Sequence, residues 1–123
     1  NVDFVLDNLN LRRYFSAVVH ASMVVKGKPD PEVFEKAAAA LGVTTADCVI
    51  FEDSPTGAEA ARRAGSATII ITTTHGAEEF AHMPNVKFGN KIFLHSSFQT
   101  ITLMVFLPTQ RFFTYPAKNF HVY

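Results

Sequence analysis

The sequence predicts an α/β fold in which a parallel sheet is flanked by helices. Three observations carry the prediction. First, Cys48-Val49-Ile50-Phe51 and Ala67 to Ile71 are short, continuous apolar runs, the pattern of strands buried on both faces. Second, Asp30-Pro31 and Ser54-Pro55 each place a capping side chain before a proline suited to the first helical turn, and Gly42 and Gly65 follow where those helices should stop. Third, strand and helix patterns alternate along the chain, which implies parallel pairing through right-handed crossovers.

Taken in order, Val2, Val5, Leu6 and Leu9 recur at i, i+3, i+4 and i+7 and predict a first helix with one apolar face. Phe15 to His20 is a short apolar, β-branched run and a strand candidate. The helix after Pro31 should bury Val33, Phe34, Ala37, Ala38 and Leu41 and end at Gly42. The strand at 48–51 leads to the helix opened by Ser54, where Thr56 and Glu59 add the spacing of a capping box. Ala58, Ala60, Ala61 and Ala64 line that helix. A strand over Ala67 to Ile71, a short helix over Ala77 to Ala81 and a weak strand over Val86 to Phe88 complete the series. Phe4, Phe34 and Phe51 read as core positions, and Cys48 as a small core residue. Ile101 to Leu107 lacks a clear period, and a strand over 100–107 fits it best.

Composition divides the chain. Of 123 residues, 11 are basic and 11 acidic, and 48% are hydrophobic. Residues 1–88 hold all 11 acids and eight bases, a net −3, whereas residues 89–123 hold three bases and no acid, a net +3. That second segment also holds six of the 12 phenylalanines. The expectation is an α/β unit over 1–88 and an atypical Phe-rich tail over 89–123, which invites self-association if exposed. The apolar content excludes a disordered chain. Neutral charge gives no footprint for nucleic acid or an anionic membrane surface, and no apolar run approaches the roughly 20 residues of a membrane span. One cysteine and an acidic first segment fit a soluble, reducing, cytoplasmic setting without a signal peptide.

In open parallel sheets ligands bind beyond the carboxyl ends of the strands. Glu52, Asp53 and Ser54 fall there, after the 48–51 run. Two adjacent carboxylates can hold magnesium, which takes oxygen ligands and usually only one or two carboxylates. The same acids also suit a solvated loop, with Asp53 helping to cap the helix. Lys28 lies between Gly27 and Pro29 ahead of a helix, where it suits neutralising phosphate or pairing with those carboxylates. Lys26 lies two residues away, and spacing alone does not choose between them; an ordinary surface lysine also fits. His75 follows Thr72-Thr73-Thr74 at a strand end, on the same rim as Asp53. No histidine has metal-ligand spacing, and Arg62 and Arg63 fit a solvated helix face.

Two blocks, GKPDPEVFEKAAAALGV and CVIFEDSPTGAEAARRAG, together resemble the haloacid dehalogenase (HAD) superfamily, in its phosphatase and β-phosphoglucomutase-like branch. The resemblance runs from about Asn1 to Phe88. It implies a Rossmann-like core and magnesium-dependent phosphoryl transfer through an aspartyl phosphate. Lys28 matches the lysine that steadies nucleophile and phosphate, Glu52 and Asp53 the acidic pair on magnesium, and Ser54 the neighbouring loop serine. The substrate implied is a small phosphorylated metabolite, a sugar phosphate foremost.

The family's nucleophile is the first aspartate of an Asp-x-Asp pair, and no such pair occurs in this sequence. Asp3 and Asp7 lie four apart in a predicted helix and do not substitute. The resemblance therefore implies a partial core, lacking the nucleophile strand and the cap, and inactive alone. A metal- or phosphate-binding module without turnover, or half of a split enzyme, are the alternatives.

Overall fold

The computed structural model describes residues 2–72, 75–88 and 103–106. The elements are α1 (Val2–Asn8), α2 (Glu32–Leu41), β1 (Cys48–Glu52), α3 (Pro55–Arg63), β2 (Ala67–Ile70), β3 (Val86–Phe88) and β4 (Leu103–Phe106), joined partly by short 3-10 turns. The sheet order is β3-β2-β1-β4. β1 and β2, and β2 and β3, run parallel, as the alternation predicts. β4 lies antiparallel to β1, with Cys48 opposite Phe106 and Phe51 opposite Leu103, so the sheet is mixed rather than wholly parallel. The rest of the expected 89–123 tail lies outside the described residues, as do Thr73 and Thr74. No helix among the described residues is long and apolar enough to cross a membrane.

The helix signals act as read. Asp30 Oδ1 accepts from the Glu32 N–H at 3.1 Å, and Gly42 ends α2 with φ 70°, a left-handed conformation that glycine adopts without Cβ strain. Ser54 Oγ accepts from the Gly57 N–H at 3.1 Å, with Pro55 opening α3. Glu59 does not join a capping box with Thr56. It pairs with Arg62 and Arg63 on the solvated face of α3, at 2.7 and 2.8 Å.

The core lies on one face of the sheet. Cys48, Ile50 and Glu52 of β1 are buried, while Val49 and Phe51 are only half-buried. The register sets Ile50 beside Thr68 and Glu52 beside Ile70, so these side chains share a face. Ala60 and Ala61 of α3, with Phe34 of α2, pack on Ile50; Ala58 packs with Ile70 and Phe80. Alanines on α3 let the helix approach the strands closely. The alternating burial along β1 and β2 shows that the apolar runs do not mark full burial on both faces.

Other expectations need correction. Residues 15–20 form no strand. An extended segment becomes a strand only by pairing, and the two sides of β1 are taken by β2 and β4. Within α2, Phe34 and Ala38 are fully buried, but Val33, Ala37 and Leu41 only partly. In α1 only Leu6 is buried, and Phe4 is 68% exposed rather than core, because the described residues cover one edge of that helix. Residues Ala77–Phe80 form a 3-10 turn that seats the buried Phe80.

Candidate active site

The carboxyl end of β1 gathers the chemistry. Glu52, its last residue, is fully buried. An isolated carboxylate there would be costly, so its partners are essential. The Lys28 ammonium donates to Glu52 Oε1, and Oε2 accepts from the Ser54 backbone N–H at 3.2 Å and from Ser54 Oγ at 2.8 Å. Lys28 also lies over the Phe34 ring, its Nζ 5.3 Å from the centroid, where the ring face attracts a cation. Of the two lysines, Lys28 is the one that meets the strand-end carboxylate. Lys26 is 72% exposed and lies 3.9 Å from Asp30.

Ser54 has two tasks, since its hydroxyl donates to Glu52 while accepting from Gly57. The strand end and the helix start are thereby tied through one oxygen. Asp53, between them, is 6% exposed. Burial pushes its carboxyl above the usual range, and the neighbouring Glu52 charge adds to that; Lys28 and His75 pull the other way. Asp53 is thus a desolvated acid that a nearby cation would favour in its ionised form.

His75 lies beyond β2, close enough for its charge to act on Asp53. Its Nδ1 is 3.0 Å from the Glu79 carboxylate, and its ring meets Phe80 edge-on at 6.4 Å. The structure brings Lys28, Glu52 and Ser54 into direct contact, with Asp53 beside them. His75 stands at the rim, held by Glu79.

Magnesium suits this donor set. Carboxylates are hard oxygen ligands, and such an ion typically takes one or two of them; Glu52 has both oxygens engaged by Lys28 and Ser54, which leaves Asp53 as the direct ligand this strand end offers. Among the described residues no group of three or more His, Cys, Asp or Glu side chains is placed to hold a metal, so a closed protein cage is not the form of site offered.

Sequence reasoning missed two contributors. Gly57 leaves the space that the Glu52 carboxylate fills, and a Cβ there would overlap it, 2.6 Å even from the farther oxygen. A glycine inside a helical pattern was the available signal. Glu32 binds the loop that carries Lys28, accepting from the Val25 N–H at 3.1 Å and the Lys26 N–H at 2.8 Å. An acid in the first turn of a helix carries no signal beyond its fit to the helix dipole.

Known proteins share this arrangement of sequence. The family model described as haloacid dehalogenase-like hydrolase matches residues 1–65. Validoxylamine A 7'-phosphate phosphatase of Streptomyces hygroscopicus subsp. limoneus is 41% identical over 76 residues, covering 62% of this chain and 36% of its own. Fructose-1-phosphate phosphatase YqaB of Escherichia coli is 48% identical over 67 residues, covering 54% and 36%. The β-phosphoglucomutase of Bacillus subtilis is 42% identical over 65 residues, covering 53% and 29%. The crystal structure of a HAD hydrolase, family IA, variant 3, from Entamoeba histolytica superposes with a TM-score of 0.64 at 28% identity, over 72% of this chain and 40% of that one. The chain spans about a third of the length of the curated relatives named here. With its first half matched by the family model and its strand-end acids, lysine loop and capped helix assembled as one site, the chain belongs to the haloacid dehalogenase-like hydrolases.

Proposed function

We propose that this chain carries the charge-handling part of a phosphoryl-transfer site, and that the protein is a phosphatase or phosphomutase for a small phosphorylated metabolite. The observation that carries the reading is the Lys28 ammonium held on buried Glu52 beside desolvated Asp53 at the mouth of α3. Phosphoryl transfer needs positioning and charge neutralisation more than elaborate covalent chemistry. Lys28, anchored on one side by Glu52, presents positive charge to the phosphoryl oxygens. Ser54 keeps Glu52 in place and shapes the turn into α3. Asp53, with Glu52 behind it, would hold magnesium, which supplies Lewis-acid neutralisation of the transferring group. His75 lines the rim where substrate enters. The relatives' names point to sugar phosphates and similar phosphorylated carbohydrates as the substrate class.

The attacking group in this reading is an aspartate that becomes phosphorylated. The 123 residues contain no Asp-x-Asp pair, so the chain by itself does not complete the reaction. Two measurements test the reading. Millimolar magnesium with inorganic phosphate should raise the melting temperature of the purified chain; an unchanged melting curve overturns the proposed site. The chain alone should not hydrolyse p-nitrophenyl phosphate. Magnesium-dependent turnover would overturn the assignment of the nucleophile to residues outside it.

A further inference from the structure

Lys28 lies in a loop, yet its ammonium must meet a carboxylate on a buried strand end. A lysine side chain has four rotatable carbons, and a loose loop would spread its head group over many positions. Something must fix the loop. The described contacts show what does. Glu32, in the first turn of α2, points its carboxylate back at the segment before Lys28. Oε1 and Oε2 accept from the Val25 N–H at 3.1 and 3.2 Å, and Oε2 accepts from the Lys26 N–H at 2.8 Å. Lys36, one turn further along α2, lies 2.8 Å from Glu32 Oε1 and donates to the Met23 carbonyl at 2.7 Å. The two α2 side chains thus grip the backbone over residues 23–26. On the other side of Lys28, the Asp30 N–H closes a turn on the Gly27 carbonyl at 3.0 Å, and Asp30 Oδ1 accepts from the Glu32 N–H. The same helix also supplies the Phe34 ring beneath the ammonium.

We propose that Glu32 is a positioning residue for Lys28, fixing the lysine loop on α2 so that the ammonium is delivered to Glu52 and the phosphoryl site. This rests on the reading of Lys28 as the phosphate-facing cation. Its geometric part can nevertheless be measured without turnover. Three features separate it from an ordinary helix-start acid. Its acceptors take backbone N–H groups of another segment, beside the Lys36 ammonium of its own helix. Its side chain is only 20% exposed. Its carboxyl is held down to about 2, with Lys36 the leading cause and the two loop N–H groups next, so it stays ionised through the working range. A charged acceptor makes stronger hydrogen bonds than a neutral one.

The test compares wild type with Glu32→Ala, Glu32→Gln and, as control on the same helix, Glu35→Gln. Two quantities are read in the purified chain: hydrogen exchange of the Val25 and Lys26 amides, and the rate at which Lys28 Nζ is acetylated by trace acetic anhydride relative to Lys26. Glu32→Ala should speed exchange at both amides at least about tenfold and raise the Lys28 acetylation rate several-fold toward that of Lys26. Glu32→Gln keeps an acceptor oxygen and should fall between, and Glu35→Gln should change neither. If Glu32→Ala does not fold by circular dichroism, Glu32→Gln decides the outcome. Faster amide exchange with unaltered Lys28 acetylation overturns the proposal, because Glu32 would then staple the loop without placing the lysine. Unaltered exchange overturns it as well. Failure of the broader phosphoryl-transfer reading would look different: wild type would show the same protected Lys28 and yet no response to magnesium and phosphate.

Discussion

Gly57 of α3 stands directly against the carboxylate of Glu52, and the absence of a side chain at 57 is what lets that carboxylate occupy its place. Two effects oppose each other at this position. Alanine is favoured over glycine inside a helix by about 1 kcal/mol. Against that, a methyl group would overlap a fully buried carboxylate between α3 and β1. Glu52 would have to leave its place, breaking a buried ion pair, which costs roughly 3–5 kcal/mol. The second effect is larger. Gly57→Ala should therefore destabilise the fold by about 2–4 kcal/mol, read as a lower urea midpoint. A stabilised variant would show that the carboxylate has room to move.

The pairing of Lys28 with Glu52 should show strong coupling. Lys28→Met leaves a buried carboxylate without its cation and should cost about 3–5 kcal/mol. Glu52→Gln alone strands an ammonium that is itself only 23% exposed. The double variant replaces the ion pair with neutral groups of similar size and should recover much of the loss, because no uncompensated charge remains. A double-mutant cycle in urea checks this. Additive effects would mean that the two groups do not meet in solution.

The architecture was legible in the sequence where local chemistry and packing agree. The Asp30-Pro31 and Ser54-Pro55 starts, the Gly42 stop and the β1 and β2 runs all express short-range rules, and each element forms near the expected bounds. The run at 15–20 misled because β-branched residues report a tolerance for extended backbone, whereas a strand also needs a free neighbour in the sheet. Phe4 misled because a large apolar side chain says what wants burial and not what covers it. At the site, Glu52, Asp53 and Ser54 were visible from their place at a strand end. The selection of Lys28 over Lys26 was not, since it depends on Glu52 lying across from the loop. Glu32 and Gly57 escaped because each acts on a partner outside its own helix, through a hydrogen bond in one case and through empty space in the other.

Asp53 gives a pH-dependent prediction of its own. Burial raises its carboxyl above the ordinary value of 3.8. Between the unfolded and folded values the native state holds more protons, so stability falls as pH rises through that window. At neutral pH, where the ionised form bears the full desolvation cost, Asp53→Asn should raise the melting temperature by a few degrees. The advantage should shrink as pH falls toward the unfolded value of 3.8, because the wild-type carboxyl takes up its proton above that value. The same substitution should remove the stabilisation by magnesium. A variant less stable than wild type at pH 7 would show that Asp53 is held by favourable contacts that outweigh its burial.

Glu32 and Glu59 predict the opposite slope in acid. Both are depressed from 4.5 to about 2, Glu32 chiefly by Lys36 and the loop N–H groups, Glu59 chiefly by Arg62 and then Arg63. For a depressed carboxyl the stabilisation is fully present above the unfolded value and is lost as pH falls toward the folded one. Unfolding midpoints should therefore decline between about pH 4.5 and pH 2. The two residues differ in what they join. Glu59 pairs with arginines three and four positions away on one solvated helix face, where salt screens the charges. Glu32 joins α2 to residues 25 and 26 through directed hydrogen bonds, which salt weakens less. Glu59→Gln should thus flatten the acid decline at low salt but do little at 0.5 M, roughly a Debye length of 4–5 Å. Glu32→Gln should flatten it most at low salt, where the Lys36 pair counts in full, and still in part at 0.5 M through the loop hydrogen bonds. Urea midpoints for the two variants at pH 2.5, 3.5, 4.5 and 6, each at low and high salt, check the difference. Identical salt responses would mean that the Glu32 contacts to the loop are not formed in solution.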